Sequence, residues 1–338
     1  MIKHKTIVSG ITSTGDITIG NYIGAIRHFV ELQDKNNLFI FVANLHGITN
    51  PAELEREELK NNIKNMFALY FACGLDPEKI TLFVQSDVLE HANLAHILLC
   101  HSTIGELQRM TQFKDKSKIK GKNGSDYIPS GLLTYPTLMA ADILLYDGEL
   151  VPVGKDQKQH IELTRNLAIR LNNKTKTDLF TIPEPYIATT GSKIKDLQNP
   201  DKKMSKSSEN PKSFIRMLDE PAVVIKKINS AVTDSENKIY YDEVKKPGVS
   251  NLLTIYSCLR KITIEEAVVF FEGKNYGEFK QEISKEINIL LSDIQKKYNN
   301  LINSKKLDEL IIYGANKARK VAHKKIELVF DKLGLNYK

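Results

Sequence analysis

The sequence is short of cysteine and lacks long apolar runs, and each shortage excludes a class of protein. Its three cysteines, Cys73, Cys100 and Cys258, are odd in number and far apart, which excludes a disulfide framework and argues against a thiolate metal site. No apolar stretch approaches the ~20 residues that a membrane-spanning helix needs. Residues 1–5, MIKHK, lead straight into a strand-like segment without a signal-peptide core. We therefore expect a cytoplasmic protein without a membrane partner.

Arginine is also scarce, although the chain is basic. Lys and Arg number 48 against 41 Asp and Glu, a net charge of +7, yet only eight of the cations are arginine. Lysine charge favours diffuse attraction to phosphate over bidentate reading of bases. Composition leaves open a nucleotide-dependent enzyme, an RNA-binding module and a basic housekeeping protein.

The first half of the chain alternates strand-like and helix-like runs. Residues 6–11 are rich in β-branched residues, and residues 38–43 and 80–84 are nearly continuous apolar runs; all three read as buried parallel strands. A helix begins near Pro51, and Gly74 stands where its C-terminal cap belongs. This order predicts right-handed crossovers and a doubly wound, Rossmann-like parallel sheet, an α/β fold.

The chain after residue 113 begins with a loop, continues with mixed helix and strand, and ends in helices. Residues 114–129 carry five lysines and two glycines and read as a loop or small insertion. Beyond it we predict a helix over 134–146, a strand over 150–153 and a helix over 156–171. Prolines from Pro183 onward then mark a linker, and two amphipathic helices follow, with apolar residues spaced from 279 to 294 and from 307 to 322.

Two segments have the composition of phosphate-binding sites. Residues 9–21, SGITSTGDITIGN, combine small residues with a strand-to-helix passage, which suits phosphate binding, although an ordinary glycine-rich turn with a helix cap has the same features. Residues 202–208, KKMSKSS, place three lysines and three hydroxyls together and could clamp a pyrophosphate. A solvated linker is the alternative, but the order Lys-Met-Ser-Lys-Ser favours the clamp.

With these motifs the chain resembles the class I aminoacyl-tRNA synthetases, most closely the bacterial-type tryptophanyl family. Residues 203–207 match the KMSKS signature, and Thr18-Ile19-Gly20-Asn21 is a variant of the HIGH signature with Thr18 in the usual histidine position. Supporting blocks extend the resemblance over essentially the whole chain, at residues 105–114, 133–146, 151–157 and 230–235.

The resemblance implies a fold organisation, a reaction and partners. It implies a Rossmann-like catalytic domain over residues 1–188, a helical domain over 189–298 that carries the KMSKS loop and faces tRNA, and a C-terminal helix over 299–338 that packs back on the catalytic domain. The reaction joins tryptophan to tRNA(Trp) through an adenylate, with ATP as substrate, Mg²⁺ arriving with ATP, and a homodimer as the assembly. His91, His96 and His101 miss the i, i+4 spacing of a helical metal pair, so we expect no structural metal.

For tryptophan, the resemblance implies Asp142 as the acceptor of the indole N–H. Its neighbours on the predicted helix are apolar, which disfavours the alternative of a helix-surface Asp, and a buried carboxylate is costly unless it meets a donor. The resemblance also implies ring-lining and head-group residues: Tyr135, Met139, Val151 and Val153 around the ring, with His46 and Gln157 at the amino-acid head. An isolated His46 could equally be structural.

For ATP, the resemblance implies a set drawn from both motifs and one later turn. Lys203, Lys206, Thr18 and Asn21 are the expected catalytic residues. The ATP-binding set is Thr12, Ser13, Thr14, Gly20, Asn21, Gly154, Lys155, Asp156, Ile194, Lys203, Met204, Ser205, Lys206 and Ser207. The chain departs from the family where Thr12-Ser13-Thr14 replaces Gln-Pro-Ser and Lys155 replaces Glu.

Two rival functions remain at this point. The nearer is a tyrosyl-tRNA synthetase, against which the segment at 139–145, MAADILL, argues. The other is a non-catalytic RNA-binding paralogue, which would have no use for intact Lys203, Lys206 and Asp142.

Overall fold

A parallel β-sheet forms the centre of the molecule. The computed structural model describes residues 4–11, 17–49, 56–117, 128–154, 157–186 and 194–337. Within these residues five strands pair in the order β3-β2-β1-β4-β5, all parallel. Their bounds are β1 Thr6–Ile11, β2 Asn37–Val42, β3 Ile80–Val84, β4 Leu150–Pro152 and β5 Glu184–Tyr186. The predicted doubly wound sheet is confirmed.

Burial explains why the apolar runs form the sheet's interior. Every residue of β3 is buried, and its Leu82 pairs with Ile40 of β2. Strand β5 differs from prediction, because it lies in the segment interpreted as a linker. Pro185 sits inside this strand opposite Val151 of β4, a position open to proline because β5 is an edge strand.

The strand order reverses between β1 and β4. In such sheets the crevice that binds ligands lies at the carboxyl ends of the strands beside this reversal. We call this side of the sheet the carboxyl edge. Described residues that follow β2 and β3 contact one another there.

Helices surround the sheet, and those predicted at 134–146 and 156–171 are confirmed. Helix α1 continues through a π-helical turn, Tyr22–Ile26, into α2. The helix predicted from Pro51 is present as α4, although residues 50–55 lie outside the described residues. Helix α7 occupies the start of the predicted loop. The bounds are α1 Ile19–Asn21, α2 Arg27–Leu32, α3 Asn44–Gly47, α4 Arg56–Ala72, α5 Glu90–Cys100, α6 Ile104–Gln108, α7 Thr111–Lys116, α8 Ser130–Leu144 and α9 Lys158–Thr175.

The last third of the chain is helical, as predicted. The two long amphipathic helices are confirmed as α13 and α14; the first starts at a capping box between Asn275 and Glu278. The bounds are α10 Pro221–Asn229, α11 Pro247–Arg260, α12 Ile264–Phe270, α13 Tyr276–Ile302 and α14 Lys305–Leu333. None of the described helices is long and apolar enough to cross a membrane.

The hydrophobic core is continuous between the sheet and the C-terminal helices. One cluster joins Ile7 and Leu38 of the sheet to Val249 of α11 and Ile283 of α13. A second cluster, around Phe83, includes Ala318 and Val329 of α14. The helices after residue 189 therefore help to bury the sheet that carries the carboxyl edge.

Candidate active site

A buried carboxylate lies behind the carboxyl edge. Asp142 of α8 is 1% exposed, which excludes the helix-surface alternative. Its Oδ1 accepts hydrogen bonds from Gln85 Nε2 at 2.7 Å and His91 Nδ1 at 2.6 Å. Its Oδ2 accepts from His46 Nε2 at 2.8 Å. Three donors from three segments thus converge on one side chain.

These donors keep Asp142 ionised in spite of its burial. Burial by itself raises the pKa of Asp142, but the hydrogen bonds and charges of His46 and His91 lower it to about 2. His91 continues the chain of hydrogen bonds, because its Nε2 lies 2.8 Å from the Tyr146 hydroxyl. Burial, followed by the charge of Asp142, raises the pKa of Tyr146 well above its usual value, so Tyr146 keeps its proton.

The donors are themselves held by the loops that follow β2 and β3. Gln85 begins a short 3₁₀ turn directly after β3, and its Oε1 accepts from the backbone N–H of Leu45 at 3.1 Å. Asn44 and Ser86 exchange two further hydrogen bonds between the same loops. The segment Asn44-Leu45-His46 is therefore fixed against β3, which places His46 beside Asp142.

The predicted ring-lining residues divide into two groups. Met139 and Val153 pack on a small cluster of buried Ile143, Val151 and Ile161, and Met139 lies one helical turn before Asp142 on α8. Tyr135 instead joins a polar group, with its hydroxyl 2.6 Å from His160 Nε2 and 3.0 Å from Gln112 Oε1.

The ring of Tyr135 also contacts His46. Its ring meets that of His46 edge-on, with centroids 6.2 Å apart. Burial raises the pKa of Tyr135 to about 12.

Gln157 precedes α9 and its backbone N–H donates to the carbonyl of Gly154, so Gln157 and Gly154 lie together just after β4.

The first signature forms a tight helical start. The Thr18 hydroxyl accepts from the Asn21 backbone N–H at 3.2 Å, and Asn21 Oδ1 accepts from the Thr18 N–H at 3.0 Å and from its hydroxyl at 2.9 Å. Thr18 is 1% exposed. The side chains of Thr18 and Asn21 thus cap α1 and bind each other.

The second signature lies in a hairpin against this start. Lys203 pairs with Lys195 in an antiparallel bridge, and the Met204 N–H donates to the carbonyl of Ile194. Met204 and Ile194 are buried, whereas Lys203, Ser205 and Ser207 are exposed and Lys206 is half-buried. The motif therefore anchors through its methionine and presents its polar residues outward.

The two signatures touch. A side chain at Gly20 would meet the Met204 Cβ at 3.4 Å, and the Ile19 N–H donates to the Ile215 carbonyl at 2.9 Å. Thr18 forms an antiparallel bridge with Arg216. The segments that the sequence predicts for ATP are thus in direct contact.

Several predicted residues lie outside the described residues, and these are Thr12, Ser13, Thr14, Lys155 and Asp156. In the described parts of the chain no group of three or more His, Cys, Asp or Glu is arranged to hold a metal ion. A groove of about 1740 Å³ lies between α10 and α13, away from the carboxyl edge, and a smaller cavity of about 440 Å³ borders Lys195 and Asn251.

Three residues of the Asp142 network were missed by sequence reasoning. Gln85 could have been predicted, since it is a polar residue directly after a buried strand, and ligands of such sheets bind at the carboxyl ends of the strands. His91 carries no such signal, and Tyr146 has only its place in the block 133–146 of the resemblance. Their roles depend on contacts between segments 51 and 55 residues apart.

The chain is similar to known proteins both in sequence and in fold. The family described as tRNA synthetases class I (W and Y) matches residues 3–292. A tryptophan–tRNA ligase of Malacoplasma penetrans is 53% identical over 331 residues, 98% of this chain and 98% of that protein. The tryptophanyl-tRNA synthetase of Mycoplasma pneumoniae has a crystal structure that is similar at a TM-score of 0.87, with 40% identity and 99% of both chains covered. The crystal structure of the Campylobacter jejuni tryptophanyl-tRNA synthetase complexed with ADP and tryptophan is similar at a TM-score of 0.81, with 34% identity and with 97% of this chain and 99% of that one covered.

Proposed function

The chain belongs to the bacterial-type tryptophanyl-tRNA synthetases, class I ligases that join tryptophan to tRNA, and we propose that its carboxyl edge performs both steps of that reaction. The observation that carries the assignment of residues is the buried Asp142, which lies one helical turn after Met139 on α8, while Met139 packs on the apolar cluster of Ile143, Val151 and Ile161. A buried carboxylate so close in sequence to an apolar cluster suits a ligand with a large ring and a single N–H donor.

Asp142 reads the indole ring in this proposal. Indole has one donor and no acceptor, so an acceptor-only carboxylate is its natural partner. Met139, Val151, Val153 and Tyr135 line the ring, and Gln157 and His46 meet the amino-acid head. The His46 side chain is 23% exposed while that of Asp142 is 1% exposed, so His46 is the more accessible of the two hydrogen-bonded side chains.

The first step forms tryptophanyl-adenylate. An oxygen of the tryptophan carboxylate bonds to the α-phosphorus of ATP, and the bond from that phosphorus to the bridging oxygen breaks to release pyrophosphate. The attacking carboxylate is already anionic, so no general base is needed and catalysis rests on positioning and charge.

Lysines of the KMSKS segment supply that charge in our proposal. Lys203 and Lys206 follow the leaving pyrophosphate, with Ser205 and Ser207 as further donors, while Thr18 and Asn21 hold the turn that contains Gly20. Mg²⁺ enters with ATP, whose phosphate oxygens suit it. We include Thr12, Ser13, Thr14, Gly154, Lys155, Asp156, Ile194 and Met204 in the ATP site.

The second step passes tryptophan from the adenylate to the terminal ribose of tRNA(Trp). We propose that residues 189–298 act as a helical domain facing tRNA beside a catalytic domain over 1–188, with residues 299–338 packing back. Lys317, Arg319 and Lys325 of α14 donate to backbone carbonyls of the sheet region, so they hold the helix in place. Exposed Lys320 and Lys324 are left to attract phosphate. A cytoplasmic homodimer completes the proposal.

Amino-acid-dependent ATP–pyrophosphate exchange with all twenty amino acids tests this function. We expect exchange with tryptophan alone. Exchange with tyrosine would favour the tyrosyl alternative. Tight tRNA binding without exchange for any amino acid would instead support a non-catalytic paralogue.

A further inference from the structure

The hydrogen bonds to Asp142 are shared unequally between its two oxygens. Oδ1 accepts from both Gln85 and His91, at 2.7 and 2.6 Å, whereas among the described residues Oδ2 accepts from His46 at 2.8 Å. A carboxylate offers about four acceptor directions, two on each oxygen. Oδ1 is therefore saturated, and Oδ2 keeps one direction for a ligand.

We propose that His91 is a positioning residue for tryptophan specificity, which together with Gln85 locks Oδ1 so that Oδ2 faces the indole N–H in one orientation. This inference rests on the proposed function, in which Asp142 is the indole acceptor. His91 makes no contact with the substrate; it acts through Asp142.

The position of His91 is fixed from its other side. The ring is fully buried; its Nδ1 donates to the Asp142 carboxylate, and its Nε2 forms a hydrogen bond with the Tyr146 hydroxyl, 2.8 Å away. The rings of Phe41, Phe83 and Tyr146 surround it at centroid distances of 5.9, 5.9 and 5.5 Å. A rotation of His91 would break two hydrogen bonds and this packing together.

Loss of the His91 hydrogen bond should affect a substrate with an indole N–H more than one without it. With Gln85 as its remaining donor among the described residues, Oδ1 is held less firmly. The carboxylate can then turn further about its Cβ–Cγ bond, and the acceptor direction of Oδ2 is less well defined. An analogue in which sulfur replaces the indole N–H makes no such bond, so it should be insensitive to the change. Discrimination between tryptophan and this analogue therefore reports the orientation of Asp142.

The test uses the full-length enzyme and the variants His91→Phe, His91→Gln and Phe83→Leu. His91→Phe keeps a ring among Phe41, Phe83 and Tyr146 but removes both hydrogen bonds, whereas His91→Gln keeps a donor. Phe83→Leu disturbs the same packing without touching the hydrogen bonds. The measurement is kcat/KM in pyrophosphate exchange for tryptophan and for the sulfur analogue.

We expect His91→Phe to lower the ratio of the two kcat/KM values by about 10- to 100-fold, the effect of one hydrogen bond to a charged group. The loss should appear in KM for tryptophan, with the analogue's kcat/KM nearly unchanged. His91→Gln should recover part of the ratio. Phe83→Leu should lower kcat/KM for both substrates by the same factor and leave their ratio at the wild-type value.

A wild-type ratio in folded His91→Phe overturns the inference. Asp142→Ala separates this outcome from a failure of the proposed function. If Asp142→Ala loses discrimination while His91→Phe keeps it, only the positioning role fails; if Asp142→Ala also discriminates as wild type does, Asp142 is not the indole acceptor.

Should His91→Phe fail to fold, Tyr146→Phe and His91→Gln carry the test. Tyr146→Phe removes only the hydroxyl that holds the His91 ring, and a several-fold drop in the ratio is expected because one neutral hydrogen bond is lost. Wild-type ratios in both of these variants would overturn the inference as well.

Discussion

Lys203 and Lys206 have different surroundings although they belong to one motif. Lys203 is exposed and its backbone is tied to Lys195, whereas Lys206 is half-buried beyond the buried Met204. A partly desolvated cation interacts more strongly with a phosphate than one in open water. Lys206 is therefore the better placed of the two to act on the charge that develops as pyrophosphate leaves.

Lys206→Ala should slow adenylate formation by about 100-fold or more while tryptophan binding stays within a few-fold, since an interaction made mainly in the transition state is lost. The chain contains no tryptophan, so the fluorescence of the bound amino acid measures its affinity directly, and rapid-quench kinetics measures the activation rate. Lys202→Ala removes a neighbouring exposed lysine and is the matched control. An unchanged activation rate in Lys206→Ala would exclude this lysine from the mechanism.

The burial of Asp142 could be predicted because the information is local. Apolar residues flank it on one helix, and this pattern places the carboxylate inside. Its donors could not be predicted, because Gln85 and His91 are 57 and 51 residues away in the sequence. Only the packing of α5 on α8 brings His91 to the carboxylate.

At the scale of elements, a side chain of α11 binds the KMSKS hairpin to the helical part of the chain. Asn251 of α11 is 4% exposed, and its amide accepts from the Lys195 N–H at 2.8 Å and donates to the Lys195 carbonyl at 3.0 Å. Lys195 in turn pairs with Lys203. The position of the lysines thus depends on a helix that begins more than forty residues later.

Asn251→Leu should slow adenylate formation by about tenfold and leave tryptophan affinity unchanged, because two partly buried backbone groups of Lys195 lose their partner. Activation rate and tryptophan fluorescence are the two measurements. Thr254→Val, one turn further along α11, is the control: its hydroxyl donates to the carbonyl of Ser250 in the same helix. Equal effects of the two substitutions would count against a specific role of Asn251.

Elements with strong periodicity were predictable, and those defined by pairing were not. Strands β1, β2 and β3 and helices α13 and α14 follow from apolar spacing. Strand β5 contains a proline and has only three residues, so its sequence resembles a linker. It becomes a strand because the exposed edge of β4 offers it hydrogen-bond partners.

At the scale of the whole molecule, α14 closes one face of the sheet. Gly314 lies against β3 so closely that a Cβ would fall 1.8 Å from the Leu82 carbonyl oxygen. On either side of it α14 contributes Leu307 to one hydrophobic cluster and Ala318 to the other. The two clusters thus share this helix.

Gly314→Ala should lower the free energy of unfolding by about 1–3 kcal/mol, because α14 must move away from a backbone that cannot yield. Urea denaturation of wild type and variant provides the measurement. Gly24→Ala is the matched control, since nothing lies within 4 Å of the added methyl. A variant as stable as wild type would show that α14 can shift on the sheet at little cost.

The position of α14 has a consequence for the nascent chain during translation. Its residues, Lys305–Leu333, are synthesised long after those of β3, Ile80–Val84, which the helix covers. Chains emerge amino end first at about 5–20 residues per second. The surface of β3 that α14 covers is therefore exposed until α14 has been synthesised, and a nascent chain released before that point would lack this helix.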